Sequence, residues 1–278
     1  MRDIAATKLQ RGYLPRAAIR YDLAAHFPAK LMSLLPPITP PSLVTHLLRD
    51  NGYAVLGQDG LCELASTPAV ELDALRPTWD DLPPDAYLRD GGRYRSRRHS
   101  CFIVEGEKVT VVPHRAHWQP VEYNALHGGM ERWFEPMTPA VITQPAWPRL
   151  LRALAACCSA LKGERPWYVE AHQFRIDTTD GIGRPTPEGA HRDGVDFVAV
   201  LLVGREGIKG GETRVFEAEG PKGIRFTLTE PWSALLLDDE RVIHESTPIQ
   251  PLADRGHRDT LVLTFRARGF QGPVEPST

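Results

Sequence analysis

Seven short runs crowd the C-terminal part of this chain, and they restrict its fold more than any other feature. After Gly163 come WYVEAHQFRI, DFVAVLLV, ETRVFE, IRFTLT, WSALLLDD, RVIHES and DTLVLTFRA. Each run is rich in β-branched, aromatic or aliphatic residues, and Gly, Pro and Asp turns separate one from the next. No helical period intervenes between them. Strands that follow one another without crossover helices cannot build a parallel sheet, so the pattern predicts an antiparallel barrel or a jelly-roll sandwich.

The preceding part reads differently. RAAIRYDLAAHFPAKLMSLL carries apolar residues at helical spacing, and SLVTHLLRDNGYAVL predicts a helix capped by Ser42, stopped at Asn51-Gly52 and followed by a short strand. WPRLLRALAACCSALK predicts a helix over 147–162, with Gly163 where it ends. RPTWDDLPPDAYLRDGG is dense in turn formers, and the basic cluster RYRSRRHS at 93–100 reads as a solvated loop. The expected plan is a helical and loop-rich part over 1–163 and a β core over 164–270. The class is mainly β with flanking helices. No long linker divides the two parts, so 1–278 is expected to form a single domain.

With 278 residues and 42% hydrophobic content, the chain can bury a large core. A formal net charge of -2 argues against nucleic acid or an anionic membrane as partner. No run approaches the ~18 apolar residues of a membrane span, and the first residues lack the apolar stretch of a secretory signal. The four cysteines, Cys62, Cys101, Cys157 and Cys158, show no Cys-x-x-Cys spacing. That favours a reducing cytoplasm over a disulfide framework. Homodimer formation is left open.

The triplet HRD occurs twice, in GAHRDGVDFVAV and in DRGHRDTLVLTF. A kinase catalytic loop would need Asn five residues after the Asp, where Val198 and Thr264 stand instead. A mononuclear iron site needs two neutral imidazoles and one carboxylate on one face of the metal, with the other face open. His-x-Asp suits this, because residues two apart on extended backbone point the same way. His191 and Asp193 can take a third ligand from His244, which is 51 residues beyond Asp193 in RVIHES. The second copy has no histidine after His257, so the first copy is the metal candidate.

The second copy then acquires another meaning. If it begins the last strand, Arg258 and Thr260 share a face while Asp259 points away. A guanidinium followed by a hydroxyl, 14 residues after the second His, suits the far carboxylate of 2-oxoglutarate. His257 itself reads as a loop residue.

HQFRI, HRDGVDFVAVLLV, GGETRVF, LLLDDERVIHESTPI and GHRDTLVLTF resemble the bacterial 2-oxoglutarate/Fe(II) dioxygenases that hydroxylate free L-amino acids such as isoleucine and pipecolic acid. The likeness is densest over 168–267, and the first 80 or so residues carry little of it. It implies a double-stranded β-helix with helices packed outside. It also implies a metal triad of His191, Asp193 and His244, with Arg258 as the 2-oxoglutarate anchor. The cofactor set it implies is Fe(II), 2-oxoglutarate and O2. Related halogenases carry a small residue at the position of Asp193, so hydroxylation is the expected outcome.

A free amino acid as substrate needs partners for an ammonium and a carboxylate. Gln173, on a strand shortly before His191, is a candidate contact to the co-substrate or the substrate. Glu122 and Tyr123 in QPVEYN are candidates for the ammonium and the pocket border, with a plain surface loop as the alternative. Arg192 and Asp196 flank the triad and are candidates of the same kind. His114 and His117 form a His-x-x-His pair without a carboxylate nearby in sequence, and read as loop residues rather than a second metal site. The glycines of IKGGETRVF predict a hairpin turn. Three alternatives stay open: a carrier-bound or peptide substrate, a zinc hydrolase using the same ligands, and a binding protein without chemistry. The zinc reading gives Arg258 and Thr260 no task.

Overall fold

A computed structural model describes residues 35–252 and 254–273. The helix expected over 16–35 lies, but for its last residue, outside the described residues. The helix α1, Val44–Asn51, ends at Gly52 in the left-handed region and runs into strand β1, Tyr53–Leu56, as the sequence predicts. Ser42 does not cap it. Pro41–Leu43 form a 3-10 turn that leads into the helix, so Ser42 lies inside the turn and no side chain caps the helix start. The short helices α2, Gln58–Leu64, α3, Ala69–Asp73, and α4, Pro139–Ile142, follow, and α5 spans Ala146–Lys162. Among the described residues no helix is long and apolar enough to cross a membrane.

All seven runs after Gly163 contain strands. In chain order the sheet elements are β2, Arg95–Glu105, β3, Lys108–Val111, β4, Trp167–Asp177, β5, Phe197–Glu206, β6, Ile208–Gly210, and β7, Thr213–Glu217. They continue with β8, Gly223–Phe226, β9, Ala234–Asp238, β10, Val242–Ser246, β11, Ile249–Pro251, and β12, His257–Arg266. A seven-stranded antiparallel sheet runs β1-β9-β5-β12-β4-β2-β3. Sheets of three strands, β10-β7-β8, and two, β11-β6, complete a jelly-roll core. The fold is a double-stranded β-helix with helices outside it.

The period of two sorts each central strand into an outer and an inner face. Outward residues such as Val169, Ala171, Leu261, Leu263 and Phe265 pack under Trp147, Leu150, Leu151 and Leu154 of α5. That contact explains why the amphipathic helix at 146–162 is needed: it covers the apolar outer face of the large sheet. On the inner face, Val198, Leu202, Leu235 and Leu237 meet Val215, Phe226 and Val242 of the three-stranded sheet. Farther along the same face the residues are polar. Register places Arg258 opposite Ile176, Thr260 opposite Phe174, Val262 opposite His172 and Thr264 opposite Glu170. β2 extends the ladder with Arg95, Arg97, His99 and Cys101 opposite Ile176, Phe174, His172 and Glu170.

The strand β2 corrects the reading of RYRSRRHS as a solvated loop. Its residues alternate, with Arg95, Arg97 and His99 buried and Ser96, Arg98 and Ser100 only partly so. The inner face is charged rather than apolar, which hides the strand from a hydrophobic pattern. Gly210 and Gly211 are not a hairpin turn either: β6 pairs with β11 and β7 with β10 and β8, so the two glycines carry the chain from one sheet to another. His257 is the first residue of β12 and not part of a loop.

Candidate metal centre and its cavity

His191 and His244 face each other across an isolated antiparallel bridge, each backbone N–H donating to the other's carbonyl at 3.0 Å. The bridge fixes the two imidazoles side by side, with ring centroids 4.6 Å apart. Asp193 lies between them, with its carboxylate oxygens 3.8 Å from His191 Nε2 and 3.9 Å from His244 Nε2. One donor atom from each of the three lies within 4.8 Å of the others. His191 Nδ1 donates to Gly189 O at 3.0 Å, which leaves the Nε2 lone pair for a metal. Two imidazoles and one carboxylate on one side of a point are the donor set of a non-haem Fe(II) site, so these residues fit that ion.

Asp239 shapes the loop that carries Asp193. It is fully buried, and its carboxylate accepts the backbone N–H groups of Asp193, Gly194 and Val195 at 3.0, 2.8 and 3.1 Å. Burial and the nearby Asp193 push the Asp239 carboxyl up. Gly194 takes φ +73°, and a Cβ there would lie 2.4 Å from the Tyr123 ring, so only glycine lets the chain turn under Tyr123. Gln119 Nε2 donates to Asp193 Oδ1 at 3.1 Å and orients it from the other side. Sequence reasoning missed Asp239, because an aspartate at the end of an apolar strand has no distinguishing spacing.

Arg258 and Thr260 point into the same cavity as the triad. Arg258 is 4% exposed, no described carboxylate comes within 4.0 Å of it, and its Nη2 has no hydrogen-bond partner. Burial, with Arg205 nearby, pushes its guanidinium down to about 10. Gln173 is elsewhere. It stands opposite Leu261 on the outward face, fully buried, and donates to Thr78 Oγ1 at 2.9 Å. The period of two that turns Arg258 and Thr260 inward turns Gln173 out, which removes it from contact with a ligand in the cavity.

The four candidate substrate contacts do not line the cavity. Glu122 is exposed. Tyr123 packs on the Gly194 turn. Arg192 donates to Asp239 O, and Asp196 receives Lys162 Nζ at 2.7 Å and Ala267 N–H at 2.9 Å. Proximity to the triad in sequence placed them near it, but backbone alternation aims Arg192 away from the side shared by His191 and Asp193. The cavity wall is built instead from residues that spacing did not reveal: Arg95, Arg97, Arg132, Glu188, and the apolar Val195, Val200 and Val262.

His114 and His117 part company in the fold. His114 Nε2 donates to Phe134 O at 2.8 Å, whereas His117 is buried beside Glu170, His99 and His172. Glu170 accepts from His117 Nδ1 at 2.6 Å and His99 Nε2 at 2.9 Å. Arg97 Nη2 donates to His172 Nδ1 at 2.7 Å, so that ring keeps its proton on Nε2 and has no lone pair there for a metal. The cluster is a hydrogen-bonded charge network. Burial holds Glu170 up, but His117 and His99 outweigh it and keep the carboxyl below its ordinary range. Burial pushes His99 and His172 down, and His117 down to about 3.

These depressed imidazoles set a pH dependence. In the folded protein His117 stays neutral down to about 3, and burial shifts His99 and His172 in the same direction, while in the unfolded chain all three protonate near 6.5. The unfolded state therefore binds more protons below pH 6.5, and stability falls as pH drops from there toward about 3. His117 contributes on the order of 1 kcal/mol per pH unit in that window, and His99 and His172 act in the same direction. Urea-unfolding midpoints are expected to hold steady from pH 8 to 6.5 and to fall steeply by pH 5. A midpoint unchanged across the series would show that the cluster is solvated or charged.

The 2OG-Fe dioxygenase family profile matches residues 76–264. Among proteins of curated function, none matches the chain. A solved bsmA homolog from Methylobium petroleophilum PM1 is 52% identical with a TM-score of 0.82, and the match covers 88% of this chain and 100% of the other. IDO from Bacillus thuringiensis is similar at 16% identity and TM-score 0.67, over 82% of this chain and 99% of its own. TqaL, an Fe(II)/(alpha)ketoglutarate-dependent dioxygenase, is 18% identical with a TM-score of 0.63, over 81% of this chain and 86% of its own. At such identities the last two share the fold.

Proposed function

This chain belongs to the 2OG-Fe dioxygenase family, and we propose that its reaction is the hydroxylation of an unactivated C–H of a free L-amino acid, aliphatic or cyclic, with release of succinate and CO2. The observation that carries this reading is one cavity. It holds the His191, Asp193, His244 triad, the buried Arg258, charged groups of both signs and a small apolar wall. The family uses Fe(II), 2-oxoglutarate and O2. Bound there, the metal and co-substrate supply the oxidant that inserts one oxygen atom into a C–H bond.

The chain's own residues position and shield. His191, Asp193 and His244 would hold the ion, with Gly189 O, Gln119 and the Asp239 clamp fixing two of those side chains. Arg258 offers a planar fork to the far carboxylate of 2-oxoglutarate, and the Thr260 hydroxyl adds a donor beside it. Val195, Val200 and Val262 give an aliphatic body somewhere to lie and keep water from the reacting carbon. Glu188, whose Oε1 is 3.5 Å from His191 Nε2, puts a carboxylate in the cavity for an ammonium.

The test is direct. The protein is incubated with Fe(II), 2-oxoglutarate, O2 and a panel of proteinogenic and cyclic L-amino acids, and succinate and the gain of one oxygen mass are followed by mass spectrometry. Succinate coupled to oxygen gain is expected with an aliphatic or cyclic member. Turnover of carrier-bound or peptide substrates alone would overturn the reading.

A further inference from the structure

The cavity contains a second buried guanidinium site with the same electrostatic signature as Arg258. Arg132 is 2% exposed and Arg97 3% exposed, and Arg132 in particular is not neutralised by a carboxylate. Among the described residues no carboxylate lies within 4.0 Å of Arg132; its Nη2 donates to the neutral amide Oε1 of Gln119 at 2.9 Å. Asp85 is drawn mainly to Arg95, at 2.7 Å, and lies 3.9 Å from Arg97. Glu170 is engaged by His117 and His99. The Nε of Arg97 and the Nε of Arg132 are buried without partners. A buried cation with idle N–H groups is costly unless an anion completes it.

The surroundings show that the site is built. The Arg97 guanidinium lies between two rings, 3.8 Å from the Phe134 centroid and 4.3 Å from that of Phe174. Those rings cover both faces, so only its N–H edge is available for hydrogen bonding. Gln119 joins this site to the metal centre: its Oε1 accepts from Arg132 and its Nε2 donates to Asp193. An anion on Arg132 therefore sits one side chain away from a metal ligand. That is the reach of a small molecule whose other end must face the metal.

We propose that Arg132, assisted by Arg97, receives the free carboxylate of the substrate, separate from the carboxylate that Arg258 takes from 2-oxoglutarate. The proposal rests on the hydroxylase reading above and sharpens it. The enzyme selects free acids, and an amide, ester or carrier thioester of the same compound leaves the buried Arg132 without an anion.

The experiment compares L-isoleucine, L-leucine and L-pipecolic acid with their carboxamides, on the wild type and on Arg132→Met and Arg132→Lys. Turnover is read as coupled succinate, and binding by calorimetry with Mn(II) in place of Fe(II) and 2-oxoglutarate present. The wild type is expected to prefer the acid over its amide by at least ~100-fold in kcat/KM. Arg132→Met is expected to raise the KM and Kd of the acid ~100-fold and to collapse that preference, with 2-oxoglutarate affinity changed less than about threefold. Arg132→Lys falls between, since it keeps the charge and loses the fork. Equal use of acid and amide by the wild type overturns the proposal alone, whatever the variants do. Absence of turnover and binding with every member of the panel overturns the amino-acid reading and the proposal together.

Discussion

Replacing His191 with alanine is expected to abolish iron binding and coupled succinate formation, while His257→Ala keeps activity within about twofold. The two histidines head identical HRD triplets, so the pair of variants separates geometry from sequence. His191 Nε2 converges with Asp193 and His244, and its backbone bridge to His244 holds the arrangement. Loss of a partner that merely orients a ligand typically weakens metal affinity ~10–100-fold; loss of the ligand itself should exceed that. His257 sits at the head of β12, partly exposed, 3.5 Å from Asp259. Asp259 already holds Arg175 through two bonds, at 2.8 and 2.7 Å, so the histidine adds little to that pair. Iron titration followed by turnover measurement checks both variants. Retained iron affinity in His191→Ala would show that the metal is held elsewhere.

Arg258→Met is expected to raise the 2-oxoglutarate KM by ~10²–10³-fold with iron affinity nearly unchanged. A charge-assisted hydrogen bond contributes about 1.5–3 kcal/mol, and the guanidinium fork offers two in a desolvated site. The same substitution should raise the melting temperature of the protein measured without 2-oxoglutarate. It removes a buried cation with an idle Nη2 and replaces it with an apolar chain of similar length. This opposite movement of stability and co-substrate affinity distinguishes a ligand anchor from a structural arginine, whose removal lowers both. A fall in both quantities would assign Arg258 to the scaffold.

Much of the β core was legible because its strands bury one or both faces in apolar contacts. DFVAVLLV and DTLVLTF announce themselves by composition, and their outward residues meet an equally legible helix in α5. β2 was not legible for the opposite reason. Its inner positions, Arg95, Arg97 and His99, are buried through ion pairing and hydrogen bonding, so the strand reads like a surface run. The same misreading hid Arg132 and Glu188, which read as surface charges, and Asp239, whose backbone partners at 193–195 are 44 to 46 residues away in the chain. Gln173 failed differently: its face was reasoned from its own strand, whereas pairing with β12 decides which side is the cavity.

The sequence alone determined the antiparallel β core, the pairing of His191 with Asp193, and the alternation that sets Arg258 and Thr260 against Asp259. These are local properties, dictated by a side-chain period of two along extended backbone. Only the tertiary structure decided which polar residues are enclosed together. Burial, charge pairing and an unanswered guanidinium arise when distant strands close around a common space, and no spacing along one strand records them.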